Sequence, residues 1–294
     1  MLQDIKHFFQ ISRPINLLIA WITYGLACYL STSRSLDFLS DPLFWITSGT
    51  LVLITATGYW INDVYDFRID RINRPNKTVV NALLSVKKVL TVYFFTMSFI
   101  AVFSILIIGG WAGKIPNMLV NLAAMTLLFV YAARLKRIGV VGNLAIAFLI
   151  SLVLVQAYYL YDQDPSMPIL WAVMFSFEIT LIREITKDVE DIQGDLKFKL
   201  TTLPIMIGIR RTKWVLAGLY LVFWLSCFLP TIYTYQRFGQ IRETFVILIA
   251  LLVQLPCLVL FIKMMRSSRP KEFGFQSRML KILMILGIVT LFFL

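Results

Sequence analysis

Two stretches of the sequence carry carboxylates at a spacing suited to holding metal. In "NDVYDFRIDRINRP", residues 62–75, Asp63, Asp66 and Asp70 stand at i, i+3 and i+7. On a helix that spacing gathers them within an arc of about 60°. Asn62, Asp66 and Asp70 form a second ladder at i, i+4 and i+8, spread over about 80°. In "REITKDVEDIQGD", residues 183–195, Asp188, Asp191 and Asp195 repeat the first spacing, and Glu184 adds a carboxylate to that face. Like charges stacked on one helix face repel, so a cation is expected among them. Oxygen-only clusters suit a hard divalent ion, and Mg2+ takes one or two carboxylates together with waters and substrate phosphates. Two such clusters, each holding Mg2+, would clamp a diphosphate between them. One run alone would pass for a solvated helix end. Two runs of matched spacing, each following an apolar stretch, argue for a functional site.

Cations stand near both runs. Arg74 and Lys77 follow the first, Lys197 and Lys199 follow the second, and "YAARLKRIGVVGN" supplies Arg134, Lys136 and Arg137. Arginine forks onto phosphate oxygens and lysine acts as a point charge, so these side chains could neutralise a leaving diphosphate. Rings are plentiful too: Tyr59, Trp60, Tyr65 and Phe67 around the first run, Tyr131 before the third, and Tyr158, Tyr159 and Tyr161 further on. Most such rings serve membrane interfaces or packing. A ring lining a cavity would stabilise a carbocation as diphosphate departs.

The elements that must position these groups are membrane helices. Of the 294 residues 59% are hydrophobic, against about 45–50% in soluble domains. Long apolar runs recur along the whole chain, and their lengths predict an all-α polytopic membrane protein with nine spans. The spans lie at roughly 14–32, 43–65, 88–112, 116–134, 138–161, 167–187, 212–233, 243–263 and 277–294. With the N-terminus in the cytoplasm, all of the 28 lysines and arginines except Arg34, Lys114, Arg237 and Arg242 fall on the inner side. The positive-inside rule therefore supports nine spans, and it puts both carboxylate runs on the cytoplasmic face of the inner membrane. The net charge of +12 then reads as a basic face near anionic lipids, and no nucleic-acid-binding module is recognisable. Cys28, Cys227 and Cys257 all lie in apolar segments as small hydrophobes, and the single histidine, His7, rules out a His-rich metal site. No cleavable signal peptide is visible. No linker or low-complexity segment divides the chain, so residues 1–294 read as one domain. Inner loops at about 66–87 and 184–211 are where function would be built.

These motifs resemble the UbiA superfamily of intramembrane prenyltransferases. "NDVYDFRIDRINRP" matches the family's first signature, "KDVEDIQGD" its second, and Tyr131 with Lys136 the short motif between helices four and five; "RPIN", Arg13 to Asn16, also fits. The resemblance spans essentially the whole chain. It implies nine helices around a central cavity and Mg2+-dependent transfer of a polyprenyl group from its diphosphate to a lipid or aromatic acceptor. It also implies that Asn62, Asp66 and Asp70 serve one metal and that Asp188, Asp191 and Asp195 serve the other, with Lys136 approaching the diphosphate. Asp66, Asp70, Asp191, Asp195 and Lys136 are thereby the catalytic candidates. Asn62, Asp63, Arg74, Lys77, Tyr131, Lys136 and Lys197 are the candidates for binding substrate. The sequence departs from its relatives where Lys77 and Thr78 stand for arginine and proline, and where Lys199 and Thr201 precede "TLP". Within the family it looks most like the branch that joins a geranylgeranyl chain to geranylgeranylglyceryl phosphate. An aromatic acceptor such as 4-hydroxybenzoate or dihydroxynaphthoate is the nearest alternative. A cation-coupled transporter is a remote one, because transporter carboxylates lie near the bilayer midplane on broken helices. If the aspartates hold metal, Asp66→Ala and Asp191→Ala each lower transfer from a labelled prenyl diphosphate about a hundredfold or more. Circular dichroism of both variants should match the wild type; near-normal transfer by both would contradict the metal assignment.

Overall fold

The computed structural model describes residues 2–32, 34–73, 79–161 and 167–294. Among these the secondary structure is helical, apart from one isolated bridge between Val80 and Leu84. The chain runs α1 (Leu2–Ile11), α2 (Pro14–Ser31), α3 (Pro42–Asn73), α4 (Val86–Phe103), a π-helical segment (Ser104–Trp111) and α5 (Ile115–Ala133). After a 3-10 turn at Leu135–Arg137 come α6 (Gly139–Tyr161), α7 (Met167–Lys197), α8 (Leu203–Ser226), α9 (Leu229–Phe238) and α10 (Glu243–Ile249). A second π-helical segment (Ala250–Gln254) leads into α11 (Leu255–Arg266) and α12 (Pro270–Thr290). Proline stands in the first turn of α2, α5, α8, α9, α11 and α12, where its missing N–H costs no helical hydrogen bond.

Among the described residues eight helical stretches are long and apolar enough to cross a membrane. The difference from nine lies at 167–187, because α7 carries Glu178, Arg183 and Glu184 within its first eighteen residues. Two ends also move. Both carboxylate runs expected at the start of inner loops lie on unbroken helix, since α3 continues to Asn73 and α7 to Lys197. With 32 residues α3 is about 48 Å long, well beyond the ~30 Å hydrocarbon core. The last helix starts at Pro270 rather than 277, because Glu272 Oε2 accepts the backbone N–H groups of Ser268 (2.8 Å) and Arg269 (3.3 Å) and caps it.

The chain forms two compact units, Met1–Lys136 with Val155–Gln163, and Arg137–Leu154 with Asp164–Leu294. In the first, α3 packs against α2, α4 and α5. Ile54, Ile100 and Met125 make one apolar cluster, and Ile61, Tyr93 and Ala132 another. Inside this unit lies a fully buried polar chain. Asn117 Nδ2 donates to the Gln156 carbonyl (2.7 Å), Gln156 Nε2 to Asn121 Oδ1 (3.0 Å), and Asn121 Nδ2 to Ser104 Oγ (3.2 Å). In the second unit α7 lies between α8 and α12, and α11 packs on α8. Lys213 Nζ donates to the carbonyls of Met265 (2.6 Å) and Ser267 (3.0 Å), closing the C-terminal end of α11. Large apolar side chains such as Phe95, Leu106, Trp111 and Trp214 are exposed, as suits a surface solvated by lipid.

α8 is broken at Gly208, whose φ of 80° and ψ of 154° fall in a region open essentially to glycine alone. The span expected from 212 is therefore preceded by a separate short turn beginning at Leu203. Since no heavy atom stands near the place of a Cβ, Gly208→Ala tests the backbone alone. It should destabilise the protein by about 1–3 kcal/mol, read as a lowered midpoint of thermal unfolding in micelles.

Candidate active site

The first carboxylate run occupies the last turns of α3. Asn62 Nδ2 donates to Asp66 Oδ2 at 2.8 Å, the i, i+4 contact that a helix brings together. Lys136, in the 3-10 turn after α5, places its Nζ on the same Oδ2. Asp66 is buried, 4% exposed. Burial works against the charge of Lys136, but Asp66, Tyr131 and Asp70 outweigh it and hold the ammonium above its ordinary pKa. The structure therefore brings Asn62, Asp66, Asp70, Tyr131 and Lys136 into one electrostatic group, all within the first compact unit.

Asp63 faces a different partner. Arg13 Nη2 donates to its Oδ1 at 2.5 Å, and the same guanidinium lies 4.7 Å over the Tyr59 ring. Arg13 has the left-handed backbone φ 54°, ψ 64° at the N-cap of α2, uncommon away from glycine. Beside it Trp60 Nε1 donates to Ser12 Oγ (2.8 Å), and Phe8 sits edge-on to Trp60 at 5.4 Å. The corner between α1 and α2 is thus pinned to one face of the first run. Tyr59 and Trp60 are committed to that corner, and Tyr65 packs on the cluster of Ile61, Tyr93 and Ala132.

The second run lies at the far end of α7. Asn143 of α6 donates its Nδ2 to Asp188 Oδ2 at 2.9 Å. Burial pushes the Asp188 carboxyl up to about 7; the Asn143 bond opposes this, Glu184 and Asp195 add to it, and Lys187 relieves it slightly. Asp195 and Glu184 are buried and Asp191 is half-buried. Arg183 pairs through Nη1 with Glu184 Oε1. Glu190 points the other way, accepting from Ser277 Oγ of α12 (3.4 Å). Lys197 is exposed at the last residue of α7. Arg74 and Lys77 lie outside the described residues.

Among the described residues no three acidic, histidine or cysteine side chains converge into a ready metal cage. The chemistry of the donors nonetheless fits a hard divalent ion. Each unit offers carboxylate oxygens with a neighbouring asparagine and no soft ligand, the set Mg2+ uses when water and phosphate complete its shell. Asp188, crowded by two other carboxylates and strained towards the neutral form, is a group that a cation would relieve. Both runs sit on regular helix near a helix end, unlike the midplane breaks of transporters.

The model of the UbiA prenyltransferase family matches residues 19–282. The chain belongs to that family. It is similar to the digeranylgeranylglyceryl phosphate synthase of Methanosphaera stadtmanae, 31% identical over 242 residues, covering 82% of this chain and 83% of that protein. The protein of the same name from Methanothermobacter thermautotrophicus is 31% identical over 287 residues, covering 96% and 94%. In fold the chain is similar to a solved digeranylgeranylglyceryl phosphate synthase, with TM-score 0.73, 23% identity and full coverage of both chains. It is also similar to a UbiA homologue from Archaeoglobus fulgidus bound to DMAPP and Mg2+, with TM-score 0.65, 17% identity and coverage of 98% and 99%. This UbiA-family chain is an integral membrane prenyltransferase.

Sequence reasoning about the site passed over two partners of the aspartates. Asn143 lies seven residues beyond Lys136 in the same quoted run, and Arg13 lies in "RPIN"; nothing in their spacing to the aspartates marks them, because both act across helices. Lys136→Ala tests the geometry of the first group. It should raise the donor KM about tenfold or more, the scale of one lost charged hydrogen bond. The Mg2+ concentration for half-maximal activity should not rise, since removing a cation from Asp66 leaves that carboxylate more open to metal. A parallel rise in both constants would contradict this division of roles.

Proposed function

We propose that this UbiA-family enzyme transfers a geranylgeranyl group from its diphosphate to geranylgeranylglyceryl phosphate, an ether-forming step of lipid synthesis. The observation that carries the acceptor is the run of relatives named digeranylgeranylglyceryl phosphate synthase, matched along most of their length and of this chain. The aspartate runs are complete, which supports activity rather than a scaffold. Residues 1–294 act as one catalytic domain, with the N-terminus and the carboxylate runs on the cytoplasmic side of the cell membrane, as the lysine and arginine pattern favours.

In this reading Asn62, Asp66 and Asp70 hold one Mg2+, and Asp188, Asp191 and Asp195 hold the other. Bound there, Mg2+ offsets the negative charge that gathers on the departing diphosphate. Lys136 adds a fixed positive charge next to Asp66 and contacts a diphosphate oxygen. Arg13 holds Asp63 and the corner of α1 and α2 in place, so the end of α3 meets its substrate preorganised. Asp63 and Tyr131 shape the donor's surroundings, and Arg74, Lys77 and Lys197 supply positive charge to the diphosphate. The donor's C–O bond breaks, the allylic cation is shielded from water by apolar helices, and the acceptor hydroxyl attacks it.

An acceptor panel tests this on purified protein in lipid vesicles with Mg2+ and labelled geranylgeranyl diphosphate. Label should pass to geranylgeranylglyceryl phosphate, stop with EDTA and return with added Mg2+. Transfer instead to 4-hydroxybenzoate or dihydroxynaphthoate would overturn the acceptor, and transfer unaffected by EDTA would overturn the metal.

A further inference from the structure

Helix α1 carries more apolar surface than the protein covers. At 100° per residue, Ile11, Phe8, Ile5 and Phe9 share one arc of about 160°. Two of them pack inward. Ile11 is buried, and Phe8 joins it against Val64 of α3, Val89 of α4 and the segment of Val79, Val80 and Leu84. Asp4, on the inward part of the same arc, pairs with Lys88 of α4 (2.8 Å). The other two apolar side chains, Ile5 and Phe9, are 60% and 64% exposed. The next arc, of about 60°, holds Lys6, Gln10 and Gln3, all exposed. The helix therefore has three faces: one on protein, one apolar and uncovered, one polar.

The position of α1 says what covers the apolar face. Only Ser12 and Arg13 separate it from α2, which begins a membrane-crossing stretch at Pro14. The left-handed backbone of Arg13 interrupts the helix between them. Exposed Ile15, Leu18 and Ile22 give α2 an apolar stripe at i, i+3 and i+7, of the kind lipid solvates. At the corner, Phe8 and Ser12 both rest on Trp60 of α3. The rise along α3 from Pro42 to Trp60 is about 27 Å, close to the ~30 Å of hydrocarbon in a bilayer. A helix seated at that height lies where acyl chains give way to head groups. There an apolar face turns to lipid, and a lysine-bearing polar face turns to water. A second copy of the chain fits poorly, because two uncovered side chains fall far short of the roughly 20–30 residues a side of a stable interface.

We propose that α1 lies in the plane of the membrane, with Ile5 and Phe9 inserted among the acyl chains of the leaflet nearest the first carboxylate run, and that this contact holds the corner of α1 and α2 on α3. The partner is a lipid surface, met by apolar burial rather than by the identity of its head groups. The helix that meets lipid through Ile5 and Phe9 meets the protein through Phe8 and Ile11. Just beyond it come the bonds of Ser12 to Trp60 and of Arg13 to Asp63. Lipid contact therefore adds to the set of contacts that pins Asp63. Removing it loosens the corner without altering any carboxylate or its direct partner.

Full-length protein in phosphatidylcholine vesicles tests this. Gln3→Cys, Ile5→Cys, Phe9→Cys and Gln10→Cys are made singly and labelled with the fluorophore NBD. Cys28, Cys227 and Cys257 are buried, and the wild-type chain taken through the same labelling gives the background. Lipid bearing a doxyl group at its fifth acyl carbon should quench the labels at Ile5 and Phe9 about twofold or more beyond those at Gln3 and Gln10, because the apolar face of such a helix sits ~5–10 Å into the boundary. Aqueous iodide should rank the four the other way. Equal quenching by iodide at all four places the helix in water and overturns the proposal. So does access of neither quencher to Ile5 and Phe9, which would mean a protein cover such as a second copy. The anchoring role is read on unlabelled protein carrying Ile5→Ser with Phe9→Ser. Amide exchange over residues 2–13 should quicken about tenfold as the corner opens more often, while exchange in α7 stays as in the wild type. Unchanged exchange over residues 2–13 overturns the anchoring, and so does an equal quickening in α7, which would report a general loss of stability.

Discussion

A carboxylate held away from water needs a cation or converging donors within reach, and carboxylates on successive turns of one helix raise that need. This constraint organises the ends of α3 and α7. In the first unit Asp66 is met by Lys136 and Asn62, and Asp63 by Arg13. In the second, Asp188 is met by Asn143, and Glu184 by Arg183. The partners come from the neighbouring chain segments α1–α2, α5–α6 and the helix itself. Packing of apolar helices therefore has to deliver those segments to the right height before the aspartates are tolerable where they stand.

On the proposed reading, the same constraint suits these helix ends to a diphosphate. A diphosphate brings more negative charge into a region already rich in it, so affinity depends on cations that are fixed beforehand and on a divalent ion's charge. Lys136 is held in place by the group it neutralises, so on the proposed reading little reorganisation is left for the moment of reaction. Arg13 acts at one remove. Its strained backbone and its place over Tyr59 keep the first helix corner against α3.

Much of this was legible in the sequence, because hydropathy and spacing are local signals. The apolar runs predicted the helices, and the i, i+3, i+7 repeats predicted two carboxylate faces on regular helix. The illegible parts depend on contacts across helices or on the backbone. The extension of α3 to Asn73 and α7 to Lys197 follows from helix continuing through polar sequence until a breaker intervenes, where hydropathy alone ends the span. The start of α12 was hidden because its signal is a glutamate cap, not apolarity. Nothing in the sequence around Gly208 marks a break, yet its positive φ divides α8. Asn143 and Arg13 were on the page as parts of motifs, but only tertiary packing assigns them Asp188 and Asp63.

The polar chain of Asn117, Asn121, Gln156 and Ser104 bears on how the protein enters its membrane. None of these groups would rest in hydrocarbon alone, since each would leave amide or hydroxyl hydrogen-bonding capacity unmet. Their partners are divided between α5, α6 and the π-helical segment that ends the α4 span. Insertion one helix at a time would strand each amide in lipid, whereas insertion of the three stretches as a hairpin cluster would let the bonds form on entry. The network thereby favours entry of the α4–α6 block together over entry of its helices one by one.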